Sequence, residues 1–246
     1  ISSAASCLML VFVLLREEYP YRVSFTRLGI DRDALRSIVR IGVPSGISGM
    51  CFSLSNLSIM SAVNSFGSAA SAGNTTALNF DSFTYFIISA FSQATVTFVS
   101  QNYGAGKMDR TRKVYNMCAL TSLSVSMAIS LLYLAFRNQL VLIFTSDPAV
   151  IDFAVRRMKT VLLFQCFTAV YEVAGSALRG LGYSMLPSVI VLFWTCLFRL
   201  FWVYAVFPYT ASFESLMAVY PFSWGLTSLF MLFFYFRYRN RGRMKV

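Results

Sequence analysis

Residues 41–80 form a run of forty positions without a Lys, Arg, Asp, Glu or His, and residues 82–106 and 114–136 are uncharged as well. A helix that crosses the hydrocarbon core of a bilayer needs about 20 consecutive apolar residues, and each of these runs can supply one. A water-facing domain has no reason to keep charge out of such long stretches. Of the 246 residues, 57% are hydrophobic and 13% charged, where soluble domains average about 25% charged. In lipid only helices and closed barrels satisfy their own backbone, and the length of these runs favours helices. The predicted class is therefore an all-α integral membrane protein.

Turn residues divide the chain into six spans, near 38–65, 75–102, 114–136, 154–180, 184–207 and 213–236. The breakers between them are Gly67 to Gly73, Gly104 to Gly106, Asp147-Pro148, Gly180 to Gly182 and Pro208. Residues 1–15 are apolar, without the basic start or small-residue cleavage site of a signal peptide, and read as the end of a preceding spanning helix. The chain is accordingly expected to be a fragment. Residues 16–37 read as a connection, either a helix lying in the headgroups or a plain linker. Residues 38–236 form the six-helix lobe, and 237–246 a basic tail.

The net charge of +11 suggests nucleic acid only until the cations are placed. Sixteen Lys and Arg flank one side of the predicted spans, in 16–40, 104–113, 179–183 and the tail after Phe236, against Arg137, Arg156, Arg157 and Lys159 on the other. This asymmetry assigns the first side, and the C-terminus, to the cytoplasm. It makes the bilayer the expected partner and nucleic acid not one. Cys7, Cys51, Cys118, Cys166 and Cys196 all lie in apolar stretches, with no CxxC pair and no His in the chain. They read as small packing residues, so no metal site, catalytic residue or cofactor is expected.

Two turns on the basic side are alike: "QNYGAGKMDRTRK", with Gln101, Asn102, Gly104 and Gly106, and "ALRGLGYSMLPS", with Arg179, Gly180 and Gly182. Glycine permits the positive φ that a sharp reversal demands, and Gln101 and Asn102 can bond the carbonyls left open at a helix end. Small residues also recur in "IGVPSGI", where Gly42 and Gly46, then Ser45 and Gly49, have the spacing of close helix packing. Together the three motifs resemble the multidrug and toxic compound extrusion (MATE) family, and the resemblance covers residues 36–236. It implies one six-helix lobe of a twelve-helix fold, a missing N-terminal lobe of the same chain as partner, and turns that act either as capped hairpins or as pivots when lobes rock. Several cation-coupled relatives carry an acid on the helix corresponding to 38–65. None stands here, which leaves open that the coupling site lies outside this chain.

Asp81, Glu172 and Arg199 are the ionisable groups that fall well inside a predicted span. Each costs about 2.5–3.5 kcal/mol at a helix centre on insertion scales and so marks a candidate functional position. Gln165, Thr168, Glu172, Ser176 and Arg179 recur at steps of three and four, which puts them on one helical face. This stripe lines a water-filled cavity if functional, with Glu172 taking up and releasing H+ or Na+, or else joins neighbouring helices by hydrogen bonds. Ser89, Gln93 and Thr97 continue from Asp81 and Tyr85 as a second candidate cavity wall. Arg199 either pairs with Asp81 or, as the favoured reading, snorkels outward.

The resemblance implies a secondary active antiporter in the cell membrane. It would export amphipathic, often cationic, small organic compounds in exchange for H+ or Na+. A flippase for lipid-linked saccharides and a non-transporting structural membrane protein are the alternatives.

Overall fold

The computed structural model describes residues 2–16 and 29–240. Among the described residues the secondary structure is helical throughout, and six helices are long and apolar enough to cross a membrane. Two compact units are present, Ile1–Gly42 and Val43–Val246.

The first unit holds α1 (Ser2–Arg16) and the start of α2 (Arg32–Asn64). The Asp31 carboxylate accepts from the backbone N–H of Asp33 at 2.8 Å and of Ala34 at 3.1 Å, which satisfies donors that a helix start leaves open. With that cap, α2 begins six residues before the span predicted from 38. From Arg32 the "DRDALRSIVR" segment is helical and forms the start of α2. Residues 17–28 of the expected connection, and 241–246 of the basic tail, lie outside the described residues.

In the second unit follow α3 (Ser68–Gly104), α4 (Met108–Ala135), the short α5 (Arg137–Leu142), α6 (Pro148–Gly180), α7 (Met185–Thr210) and α8 (Phe213–Tyr238). Helix α6 packs against α3, α4 and α8 and is the most enclosed of the six spans. Val173, Ala174, Ala177 and Leu178 of α6 are fully buried, in one apolar cluster with Val99 of α3 and Met231 and Tyr235 of α8. Large apolar side chains such as Phe86, Leu120, Phe201 and Leu229 instead point outward, as a lipid-facing surface allows. The α4 start meets the α8 end through a Tyr115–Tyr235 stack with ring centroids 3.8 Å apart and an Arg112 Nη2 to Asn240 Oδ1 bond of 2.9 Å.

Hydrocarbon offers no hydrophobic drive between helices, so close backbone approach has to come from small residues. These are not the expected ones. Gly73, read as part of a turn, lies inside α3, where a Cβ would sit 2.7 Å from the Val150 carbonyl oxygen and 2.8 Å from Phe153 Cβ. Gly180 ends α6 with a Cβ position 2.7 Å from Val99 Cγ1 and 3.2 Å from Ser100 N of α3. Around Gly46 and Gly49 of α2, by contrast, a Cβ would meet nothing within 4 Å among the described residues. Among the described residues, therefore, no close crossing falls on Gly46 or Gly49.

Overpacking a filled contact costs about 1–3 kcal/mol. Gly73→Ala and Gly180→Ala should each lower the apparent melting temperature of the detergent-purified protein by several degrees, and Gly46→Ala and Gly49→Ala should leave it unchanged.

Candidate functional site

Helix α6 starts earlier than hydropathy suggests because Asp147 caps it, accepting from Ala149 N–H at 2.9 Å with Pro148 beside it. Arg157 therefore stands nine residues into the helix, about 14 Å at 1.5 Å per residue, and not on its flank. Its neighbour Arg156 faces outward and pairs with Asp152 at 2.8 Å and Glu214 at 3.3 Å. Arg157 turns inward, is 1% exposed, and donates to the Asp81 carboxylate of α3. The pairing of Asp81 with Arg199 is thus replaced by one with Arg157, a cation that the sequence had placed at a span end.

The snorkelling of Arg199 is overturned too: its side chain is 1% exposed. Arg199 Nε donates to Ser223 Oγ at 3.1 Å and Nη1 to Asn56 Oδ1 at 3.2 Å. Its guanidinium carbon lies 4.7 Å from the Tyr220 ring centroid, and that of Arg157 lies 5.0 Å from the same ring. Burial pulls both cations away from water, and the electron-rich ring face between them offsets part of that loss.

Asp81, Arg157 and Arg199 line one cavity of about 300 Å³, walled further by Tyr85, Tyr220 and Trp224. Gln165 and Thr168 also line it, and Gln165 Nε2 reaches the Asp81 carbonyl at 3.3 Å. Three of the helices around it are irregular there. Helix α6 tightens to a 3-10 turn at Leu162–Phe164, α7 widens to π-helical turns at Leu192–Leu197 and Trp202–Val206 on either side of Arg199, and α8 carries Pro221. Irregular backbone at membrane depth is tolerated where it is buried in protein or lines a cavity, and π turns concentrate at functional positions.

Glu172 belongs to a second cluster, 15 residues beyond Arg157 on α6 but only about one helical turn beyond Thr168 of the cavity. Its carboxylate accepts from Tyr85 Oη at 3.5 Å and Ser92 Oγ at 3.4 Å, with Arg179 Nη2 3.9 Å away. Ser92 also bonds Ser176, whose hydroxyl accepts from Arg179 Nη2 at 2.7 Å. The predicted α6 stripe thus divides: Gln165 and Thr168 face the cavity, whereas Glu172, Ser176 and Arg179 zip against α3. Tyr85 belongs to both places, since its ring lines the cavity and its hydroxyl reaches Glu172.

The second expected wall is not brought to the cavity. Ser89 is half-buried, Gln93 and Thr97 are exposed, and Thr97 bonds the Gln93 carbonyl of its own helix at 2.9 Å. The inward face of α3 carries Thr84, Ile88, Ser92, Thr95 and Val99 instead. Ser92 follows Tyr85 by two helical turns, and that spacing was the available signal for it.

At the glycine turns, positive φ falls on Gly106 at 72° and Gly182 at 88°, with Gly104 still helical and Gly180 serving packing. Asn102 Nδ2 donates to the Phe98 carbonyl at 2.8 Å, and Gln101 contributes its own carbonyl, accepting from Ala105 N–H at 3.1 Å. Among the described residues no three His, Cys, Asp or Glu side chains gather as a metal site.

A family model described as MatE matches residues 44–205. The chain is similar to a probable multidrug resistance protein NorM of Thermotoga maritima, 29% identical over 65% of this chain and 35% of that protein. It is also similar to the probable multidrug resistance protein YoeA of Bacillus subtilis, 24% identical over 78% of this chain and 42% of that protein. In fold it matches a crystal structure of MATE in the straight conformation, with TM-score 0.85, 16% identity, and coverage of 98% of this chain and 55% of that one. The chain thus spans about half, or less, of the length of the proteins it matches.

The facing of α3 on α6 is directly testable in a background without native cysteines. A Ser92→Cys/Ser176→Cys pair should oxidise to a disulfide-linked peptide detectable by mass spectrometry, and a Gln93→Cys/Ser176→Cys pair should not.

Proposed function

Because this chain belongs to the MatE family, we propose that it forms one lobe of a secondary active exporter that moves amphipathic organic compounds in exchange for H+ or Na+. The other lobe is the expected N-terminal part of the same protein, and transport then proceeds by alternating access between the two. The protein would sit in the cell membrane with the turns at Gly104–Gly106 and Gly180–Gly182, and the C-terminus, in the cytoplasm. Arg157 turns inward, so Arg137, Arg156 and Lys159 are the cations that remain on the opposite side against sixteen on the first, the charge asymmetry behind that orientation.

The observation that carries the proposal is the setting of Glu172. A carboxylate only 21% exposed, within a span, faces the hydroxyls of Tyr85 and Ser92, with Arg179 at 3.9 Å. Oxygen donors of this kind suit H+ or a hard monovalent ion, and the long contact to Arg179 is one that an incoming cation can replace. An intramembrane acid with this choice of partners fits a group that loads in one state and unloads in another. Tyr85 supplies the link to cargo, because whatever occupies the cavity touches the ring whose hydroxyl reaches Glu172.

A lipid-linked saccharide flippase is favoured by one observation only, the presence of two guanidiniums in the cavity in place of one. Asp81 neutralises the first, so the support is partial.

In cells expressing the complete protein, Glu172→Gln should abolish drug efflux driven by an imposed pH or Na+ gradient while leaving membrane expression intact. Whichever gradient drives the unaltered protein identifies the coupling ion. Undiminished efflux from the Gln variant would remove Glu172 from the mechanism, and efflux indifferent to both gradients would end the antiport reading.

A further inference from the structure

The cavity bounded by α2, α3, α6, α7 and α8 has an unbalanced charge. Of its three ionisable lining residues, Asp81 and Arg157 compensate each other. Arg199 has no carboxylate within salt-bridge distance among the described residues. Its oxygen partners are neutral, Ser223 Oγ and Asn56 Oδ1. Hydrogen bonds to neutral groups and ring faces soften the desolvation of a guanidinium but do not cancel its charge. One donor on the wall, Arg157 Nε, is buried without a partner, as are the amide oxygens of Asn74 and Gln165, so the unpaired polar atoms by themselves do not set the sign of a ligand and the charge of Arg199 does. In a low-dielectric pocket the uncompensated Arg199 guanidinium disfavours a cation and favours a group that brings one negative charge and oxygen acceptors.

The remaining wall specifies what carries that group. Phe52, Tyr85, Tyr220 and Trp224 contribute aromatic side chains to it, with Arg199 Cζ over the Phe52 ring at 5.6 Å from its centroid and over the Trp224 ring at 5.9 Å. A volume of about 300 Å³ lies at the small end of ligand pockets and suits one or two fused rings. The geometry points to this cavity as a binding site for an organic monoanion, an acidic oxygen group on a flat apolar body, with Arg199 as the counter-charge. The cargo class expected from sequence, often cationic, is not what this pocket accommodates. The inference deepens the transport reading by naming the charge of a ligand for the lobe. An aromatic carboxylate and the headgroup of an anionic lipid share the required chemistry.

Equilibrium binding tests this without any gradient, so its failure and a failure of antiport are separable. The protein in neutral detergent micelles is titrated with 4-nitrobenzoate, the uncharged 4-nitrobenzamide and the cationic 4-nitrobenzylammonium, which quench Trp fluorescence on contact. The benzoate should half-quench at a concentration about tenfold or more below the amide, a preference of about 1.4 kcal/mol, and the ammonium should be weakest. Trp224→Phe should remove most of the signal, and Arg199→Gln should erase the difference between benzoate and amide. Arg199→Lys, which keeps the charge, should retain it and guards against a variant that merely misfolds. Adding phosphatidylglycerol to the micelles assigns the source: competition identifies the lipid headgroup as the natural anion, and its absence a soluble acid. Equal binding of benzoate and ammonium would overturn the proposal. So would a benzoate preference that survives Arg199→Gln, or a quench that survives Trp224→Phe.

Discussion

A guanidinium enclosed by helices in an apolar slab has to find its partners in protein, and that requirement organises the half of this lobe that lies away from the glycine turns. Arg157 is held by Asp81 across the α3–α6 contact, and Arg199 by Ser223, Asn56 and the rings of α2 and α8. Removing either partner of a buried pair costs about 3–5 kcal/mol, far more than the pair adds over an apolar substitute. Such groups are therefore weak devices for stability and strong ones for register. Asp81 fixes the rotation of α3, and Tyr85, one turn along, then points its hydroxyl at Glu172 while its ring stays on the cavity.

What was legible in the sequence follows from how each feature is encoded. Charge-free runs encode spans, and all six are present; glycine at a reversal encodes positive φ, and Gly106 and Gly182 have it. Rotation about a helix axis is encoded less openly. In α3 two polar lines, Ser89-Gln93-Thr97 at steps of four and Thr84-Ser92-Thr95 at steps of eight and three, each fit one face of a helix, and only packing decides that the second faces inward. The run Arg156, Arg157 and Lys159 reads as a flank until Asp147-Pro148 is recognised as the helix start, after which its middle member is deep in the span. Gly73 reads as a breaker because its value lies in a contact 77 residues away in sequence, at Val150. That partner is invisible to any local window.

The two polar clusters differ in the sign of charge they offer. At Glu172 a single carboxylate meets hydroxyls and, at 3.9 Å, Arg179, the setting proposed above for a small cation. In the cavity one guanidinium remains after pairing, a setting for an organic anion. Tyr85 touches both. On the proposed reading, a ligand that shifts this ring would alter the hydrogen bonding of the acid, and an ion on the acid would alter where the ring rests. Coupling between two sites must be reciprocal in free energy, and one shared side chain is the shortest physical route to it.

All of this depends on Asp81 and Arg157 meeting inside the membrane. A double-mutant cycle on thermal stability measures that contact: Asp81→Asn, Arg157→Gln and the two together. The buried pair predicts that each single change is destabilising by about 3–5 kcal/mol and that the combined variant loses less than the sum of the two, by about 1–3 kcal/mol. Single effects that are small and simply add would mean that the two side chains do not meet, and the register of α3 on α6 would have to be redrawn.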